Sequence, residues 1–130
     1  MNETTATGRC HCGAVRFTIT AETVGVIACH CRDCQQMHGN YNVMLAAPRA
    51  AVAIEGEPAW YASSDKARRG FCGTCGSRLF KDILGGDRLL VSAGVVDPPT
   101  GKRIIRNIWE QSKGDWYELP PLDAPADQKR

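Results

Sequence analysis

Cys10-His11-Cys12-Gly13-Ala14-Val15-Arg16-Phe17-Thr18-Ile19-Thr20 carries two signals in one stretch. Val15, Phe17 and Ile19 alternate with Arg16, Thr18 and Thr20, a period of two that predicts a half-buried strand. The Cys-x-Cys pair in front of it ends in Gly13, as in a knuckle whose backbone N–H groups turn toward thiolate sulfurs. Both cysteines of such a pair point to the same face of an extended chain, and a bend is still needed to bring the sulfurs onto one ion. The stretch therefore predicts a β domain held together through metal rather than through a large core.

The rest of the chain fits that reading. Apolar residues make up 43% of the 130, but Phe, Trp and Tyr number only three each, so the core is thin and benefits from staples. Further strands are expected at Val24–Ala28, at Tyr41–Leu45 up to the stop at Pro48, at Ala51–Ile54, Trp60–Ala62, Leu89–Ala93 and Arg103–Trp109. Asp33–His38 has no breaker before Gly39-Asn40 and predicts about one turn of helix. Ser63–Gly70 is polar and is expected to be a connector. The class is mainly β with few short helical turns. A flexible N-terminus (1–8), one zinc-binding β domain (9–119) and a flexible C-terminal tail (120–130) are the expected organisation.

Net charge is +2, too small a field to recruit nucleic acid. No apolar run approaches the ~20 residues of a membrane span. Met1-Asn2-Glu3-Thr4-Thr5-Ala6-Thr7 lacks the basic and apolar regions of a secretory signal, so the expected location is cytoplasmic.

All seven cysteines lie in short-spaced clusters: Cys10 and Cys12; Cys29, Cys31 and Cys34; Cys72 and Cys75. Cysteines used only as small apolar core residues would be scattered, and a secreted disulfide framework usually uses an even number. Structural zinc takes four protein ligands, whereas a site with three keeps a position for water or substrate. Seven thiols thus suggest four plus three. Cys10, Cys12, Cys72 and Cys75 would staple distant segments, and Cys29, Cys31 and Cys34 would form a compact tripod with an open position; other partitions satisfy the same count. His38, four residues after Cys34, offers a closed Cys₃His alternative for the tripod. His11 and His30 are wedged between cysteines and are poorer ligand candidates.

Gly8-Arg9-Cys10-His11-Cys12-Gly13-Ala14-Val15, Cys29-His30-Cys31-Arg32-Asp33-Cys34, Phe71-Cys72-Gly73-Thr74-Cys75-Gly76 and Ser112-Lys113-Gly114-Asp115-Trp116 occur in this order. Together they resemble the glutathione-dependent formaldehyde-activating enzyme family, also called the centromere protein V family, from about Gly8 to Leu119. The resemblance implies a zinc-stapled β-tent fold similar to methionine sulfoxide reductase B. It implies two zinc ions per chain, one structural on Cys10, Cys12, Cys72 and Cys75, and one accessible on Cys29, Cys31 and Cys34. It also implies a carbon–sulfur lyase that reversibly adds glutathione to formaldehyde, giving S-hydroxymethylglutathione. This chain has Asn107 where relatives commonly carry a His before the Ile-Trp pair.

Three thiolates on Zn²⁺ leave a net charge of −1, which disfavours polarising water and favours capture of a substrate thiol. The expected partners are accordingly a small-molecule thiol such as glutathione and a small carbonyl. Arg32, Arg68, Arg69 and Arg78 are candidates to grip the substrate's carboxylates, but each reads better as a surface charge and none is assigned; Asp33 and His38 are candidates to support the metal ligands or carry protons, and are equally at home as a helix cap or surface residue. The competing readings are a non-enzymatic zinc-stapled interaction module and an enzyme for another thiol or carbonyl.

Overall fold

The computed structural model describes residues 5–122. Its ten strands run in chain order as β1 (Ala6–Arg9), β2 (Arg16–Ile19), β3 (Val26–Cys29), β4 (Asn42–Pro48), β5 (Val52–Glu55), β6 (Ala59–Ala62), β7 (Ala67–Phe71), β8 (Arg78–Ile83), β9 (Arg88–Ser92) and β10 (Ile104–Ile108). One α-helix, α1 (Arg32–His38), and three short 3₁₀ turns complete the described elements. The expected mainly β class is what the chain adopts. None of the described helices is long and apolar enough to cross a membrane.

The strands form two sheets, a three-stranded one in the order β1-β2-β5 and a seven-stranded one in the order β10-β3-β4-β9-β8-β7-β6. β10 lies parallel to β3, with Ile108 opposite Cys29, while the other pairs are antiparallel. Alternation decides which face each strand buries. Phe17 and Ile19 from β2 meet Leu45, Ala47, Phe80, Leu89 and Val91 from the large sheet in one core. The rings of Phe17 and Phe80 meet edge to face at 5.6 Å, a pair that adds about 1 kcal/mol to its burial. Gly8 lets the small sheet close in, because a Cβ there would stand 2.2 Å from Cζ of Phe17 and 2.4 Å from the Val95 carbonyl oxygen.

Three strands escape the sequence reading. β1 begins at Ala6, inside the segment 1–8 expected to be a flexible terminus, and pairs with β2 from Ala6 opposite Ile19 to Arg9 opposite Arg16. Its Ala-Thr-Gly-Arg sequence has no strand signature and is held by its neighbour. β8 has only Leu79, Phe80 and Ile83 as apolar markers and was likewise not foreseen. The connector Ser63–Gly70 is corrected: β7 occupies Ala67–Phe71 within the large sheet. Its polarity misleads because both arginines are absorbed by the fold. Arg68 stacks on Trp60 at 3.9 Å and pairs with Asp82 at 2.9 Å, while Arg69 is only 5% exposed. Of the expected C-terminal tail, 123–130 lies outside the described residues, and the Pro120 carbonyl accepts a hydrogen bond from Asn107 Nδ2 at 3.1 Å.

Candidate metal centres

Two turns of the same design bring four thiols together. In the first, Gly13 N–H donates to the Cys10 carbonyl at 3.1 Å and Val15 N–H to the Cys10 sulfur at 3.3 Å. In the second, Gly76 N–H donates to the Cys72 carbonyl at 2.8 Å, and the amides of Thr74 and Cys75 point at the Cys72 sulfur at 3.4 and 3.5 Å. Gly13 and Gly76 both have positive φ, +84° and +82°, which a side chain at either position would strain. Ser77 Oγ joins the turns by accepting from His11 N–H at 2.9 Å.

The resulting sulfurs of Cys10, Cys12, Cys72 and Cys75 all lie within 4.8 Å of one another. Cys10–Cys12 and Cys12–Cys72 are each 3.7 Å apart. A tetrahedral ion with Zn–S bonds of 2.3 Å requires sulfurs ~3.8 Å apart, so the donor set fits zinc. Ser77, through its hydroxyl and its N–H, holds the Cys75 thiol down to about 5, which favours the thiolate a metal needs.

The second centre is built on a helix start. Cys29 is the last residue of β3, opposite Asn42 of β4. Cys31 is the N-cap of α1, its sulfur accepting from Cys34 N–H at 3.2 Å, and Cys34 is the buried third residue of the helix. Gly39 closes the helix with φ +79°. The three sulfurs lie within 4.8 Å of one another, with Cys31 and Cys34 at 3.1 Å. Hydrogen bonding by the Cys34 thiol pulls Cys29 down, and the same bond together with burial pushes Cys34 up. Thiols that share a proton in this way are ready to exchange it for a cation.

No histidine joins this group. The His38 ring is not among the mutually close ligand atoms, so the Cys₃His closure is not assembled. Its Nε2 is buried without a hydrogen bond, and burial followed by the charges of Arg69, Arg78 and Lys81 holds its pKa down to about 4. His30 is fully buried with both ring nitrogens engaged: Nδ1 with the Tyr117 hydroxyl at 2.6 Å and Nε2 with Asn107 Oδ1 at 2.9 Å. Because Asn107 Nδ2 donates to Pro120, its Oδ1 faces His30, which fixes the tautomer with the proton on Nε2. Asp33 lies exposed in the first turn of α1.

Around the tripod, Tyr41, Tyr117 and Gln35 had no signal in the sequence, and Ser112 and Trp116 were marked only by the family resemblance. Tyr41 and Tyr117 flank the His30 ring at 4.8 and 5.6 Å between centroids. Gln35 Nε2 donates to the carbonyls of His30 and Ser112, and Trp116 Nε1 donates to Asn40 Oδ1 at 3.1 Å. These contacts lay the segment from Ser112 to Pro120 across α1, joining residues about eighty positions apart that no local spacing could connect. Among the arginine candidates, Arg32 bonds Gln35, Arg68 pairs with Asp82, and Arg78 lies over the Phe71 ring at 5.3 Å. Arg69 alone reaches the tripod, with Nη1 3.8 Å from the Cys34 sulfur. Cys29 also opens on a cavity of about 70 Å³ walled by Ile27, Met44, Leu90 and Ile108, with Lys81 among its lining.

A crystal structure of a Rhodobacter sphaeroides protein shares this fold, with a TM-score of 0.60 and 21% sequence identity, over 71% of this chain and 88% of that one. The model of the glutathione-dependent formaldehyde-activating enzyme family matches residues 5–112, which contain both sets of cysteines. The chain belongs to the glutathione-dependent formaldehyde-activating enzyme family.

Proposed function

We propose that this protein is a zinc-dependent carbon–sulfur lyase that reversibly joins a thiol, glutathione in the first instance, to formaldehyde. The observation that carries the reading is the contrast between the two centres. Four sulfurs complete one of them, whereas the other has three and no histidine to close it. Cys10, Cys12, Cys72 and Cys75 are the structural ligands in this reading. Cys29, Cys31 and Cys34 are the catalytic ones.

A zinc ion on the tripod would supply a soft acceptor that favours a substrate thiol as its thiolate at neutral pH. The protein's own contribution is positioning. Cys29 is fixed by its place in the sheet, and Cys31 and Cys34 by the capped first turn of α1. The His30–Asn107–Tyr117 network holds the loop between them from behind, with both ring nitrogens of the imidazole engaged. Arg69 places a positive charge beside the Cys34 sulfur, which favours thiolate over thiol there. Holding a thiolate and a carbonyl together replaces a bimolecular encounter by a local one.

The test is exchange between glutathione, formaldehyde and S-hydroxymethylglutathione, followed by NMR with zinc-loaded protein. Acceleration over the spontaneous exchange is expected. Cys31→Ser should abolish it with the fold intact, because a serine hydroxyl still caps α1 but does not replace a thiolate. No acceleration by the unaltered protein sinks the proposal.

A further inference from the structure

Four neighbouring strands of the large sheet turn apolar side chains to one face around Cys29. Ile108 of β10 lies directly opposite Cys29, Ile27 precedes Cys29 by two residues on β3, and Met44 of β4 lies opposite Ile27. Leu90 of β9 is opposite Ala46, two residues beyond Met44, so alternation puts it on the same face. Together they wall the cavity of about 70 Å³ onto which Cys29 opens. Besides Cys29, its polar lining is Asn42 and Lys81. Lys81 is partly exposed, so its ammonium reaches water while its stem adds to the wall.

Asn42 is different. It is 4% exposed, lies directly opposite Cys29 across β3 and β4, and its side-chain amide makes no hydrogen bond with the described residues. A buried amide without a partner is costly, so this one is built for a polar atom that the chain does not supply. Cross-strand neighbours on one face stand about 5 Å apart, which places that atom beside the cysteine centre. Apolar walls and a single buried amide suit a small neutral molecule with one oxygen and a short alkyl chain. A carbonyl compound is the one such molecule that the proposed reaction consumes. Formaldehyde has no alkyl group and leaves the walls uncovered. At ~30 Å³ for each water-sized group, the cavity holds about two such groups, the ethyl chain of propanal.

We infer that Asn42 and this cavity form a carbonyl subsite: the amide Nδ2 donates to the aldehyde oxygen, the apolar walls take its alkyl chain, and short-chain aldehydes such as propanal are substrates beside formaldehyde. The inference rests on the addition of a thiol to a carbonyl proposed above. In that step the thiolate sulfur forms a bond to the carbonyl carbon, the C=O π pair moves to the oxygen, and the oxygen takes up the proton that the thiol lost. No electrons enter or leave. Asn42 acts where negative charge develops, and a donor fixed in a site with little water is effective there.

Exchange between glutathione, aldehyde and adduct is followed by NMR with zinc-loaded protein. Acceleration over the spontaneous exchange is compared for formaldehyde, propanal and 2,2-dimethylpropanal at subsaturating aldehyde. Propanal is expected to gain about fourfold over formaldehyde for each carbon that the walls bury, whereas the branched aldehyde, too wide for the cavity, shows no such gain. Leu90→Phe, which fills the cavity, should lower the propanal-to-formaldehyde ratio, and Met44→Ala, which enlarges it, should admit the branched aldehyde. Asn42→Leu keeps the shape of the side chain and removes the donor. It should lower the acceleration roughly tenfold or more with every aldehyde. Its thermal midpoint should hold or rise, because an unpaired buried amide is gone, and the sulfur-to-cobalt absorption of the cobalt-substituted variant should match that of the parent. An unchanged acceleration, a lowered midpoint or an altered cobalt spectrum overturns the role of Asn42. Acceleration of formaldehyde with no gain for propanal, or a ratio that neither wall variant moves, overturns the subsite and leaves the lyase reading standing. Acceleration of neither aldehyde overturns both.

Discussion

Asn107 is the residue on which the support of the three-cysteine centre turns. It accepts from His30 Nε2 and donates to the Pro120 carbonyl, so one side chain ties the buried imidazole to the C-terminal segment. Asn107→Leu removes the acceptor and strands a fully buried N–H, at a cost of about 2 kcal/mol. Urea unfolding should show this loss while the cobalt spectrum of the three-cysteine centre keeps its shape. An unchanged midpoint would mean that water or another group satisfies His30. His30 illustrates a general trap, because a histidine set between two cysteines looks like ligand chemistry in a linear sequence. In the fold it is a buried brace whose partners lie 77 and 87 residues away.

At the scale of elements, the strands read correctly from sequence are those whose apolar residues alternate, such as β2, or whose β-branched residues run together, such as β10. The helix at the tripod was legible from its glycine stop, and the short-spaced cysteine clusters that the fold gathers into two groups were legible from their local spacing, whereas the meeting of Cys10 and Cys12 with Cys72 and Cys75 was one of several partitions the spacing allowed. The hairpin of β7 and β8 was not legible, because its stability comes from polar pairs between strands. Asp82 is 4% exposed at its side chain and contacts Arg49 at 2.6 Å and Arg68 at 2.9 Å, bridging this hairpin to the end of β4. Burial alone would raise its pKa, but the bonds from Arg68 and Arg49 outweigh burial and hold it below the usual carboxylate range. A depressed folded pKa stabilises the fold above the unfolded value of about 3.9. That contribution fades as pH falls through the folded value. Asp82→Asn should therefore destabilise the protein at pH 7 by roughly 1–2 kcal/mol, since both arginines remain near 40% exposed and can be resolvated. The gap between variant and parent should close below about pH 4. A gap that stays constant from pH 7 to pH 3 would assign the effect to shape rather than charge.

For the whole molecule, a staple and an open site would do different mechanical work, and chelation should distinguish them. The four-thiol group brings the turn between β1 and β2 to the hairpin turn between β7 and β8, so its cysteines span residues 10 to 75. In the chain-entropy picture a cross-link closing a loop of that length restricts the unfolded state by about 4 kcal/mol. Its loss also removes the close approach of the two sheets around Gly8 and Phe17, in a core with few large aromatic residues to compensate. The three-cysteine group spans only Cys29 to Cys34, on a strand end paired with β4 and β10 and on a helix turn that Cys31 already caps. Emptying it removes little long-range order, and a centre with an open position exchanges ligands more readily than a closed one. Protein purified with zinc should therefore contain two equivalents and release them to a chelator in two phases. The first equivalent should leave with the circular dichroism unchanged, and Cys31→Ser should delete this phase alone. The second should leave together with the loss of the β signal, and Cys72→Ser should reproduce that collapse. One equivalent of zinc, or a single phase in which metal and structure disappear together, would show that the two sets of cysteines do not divide into a staple and an open site.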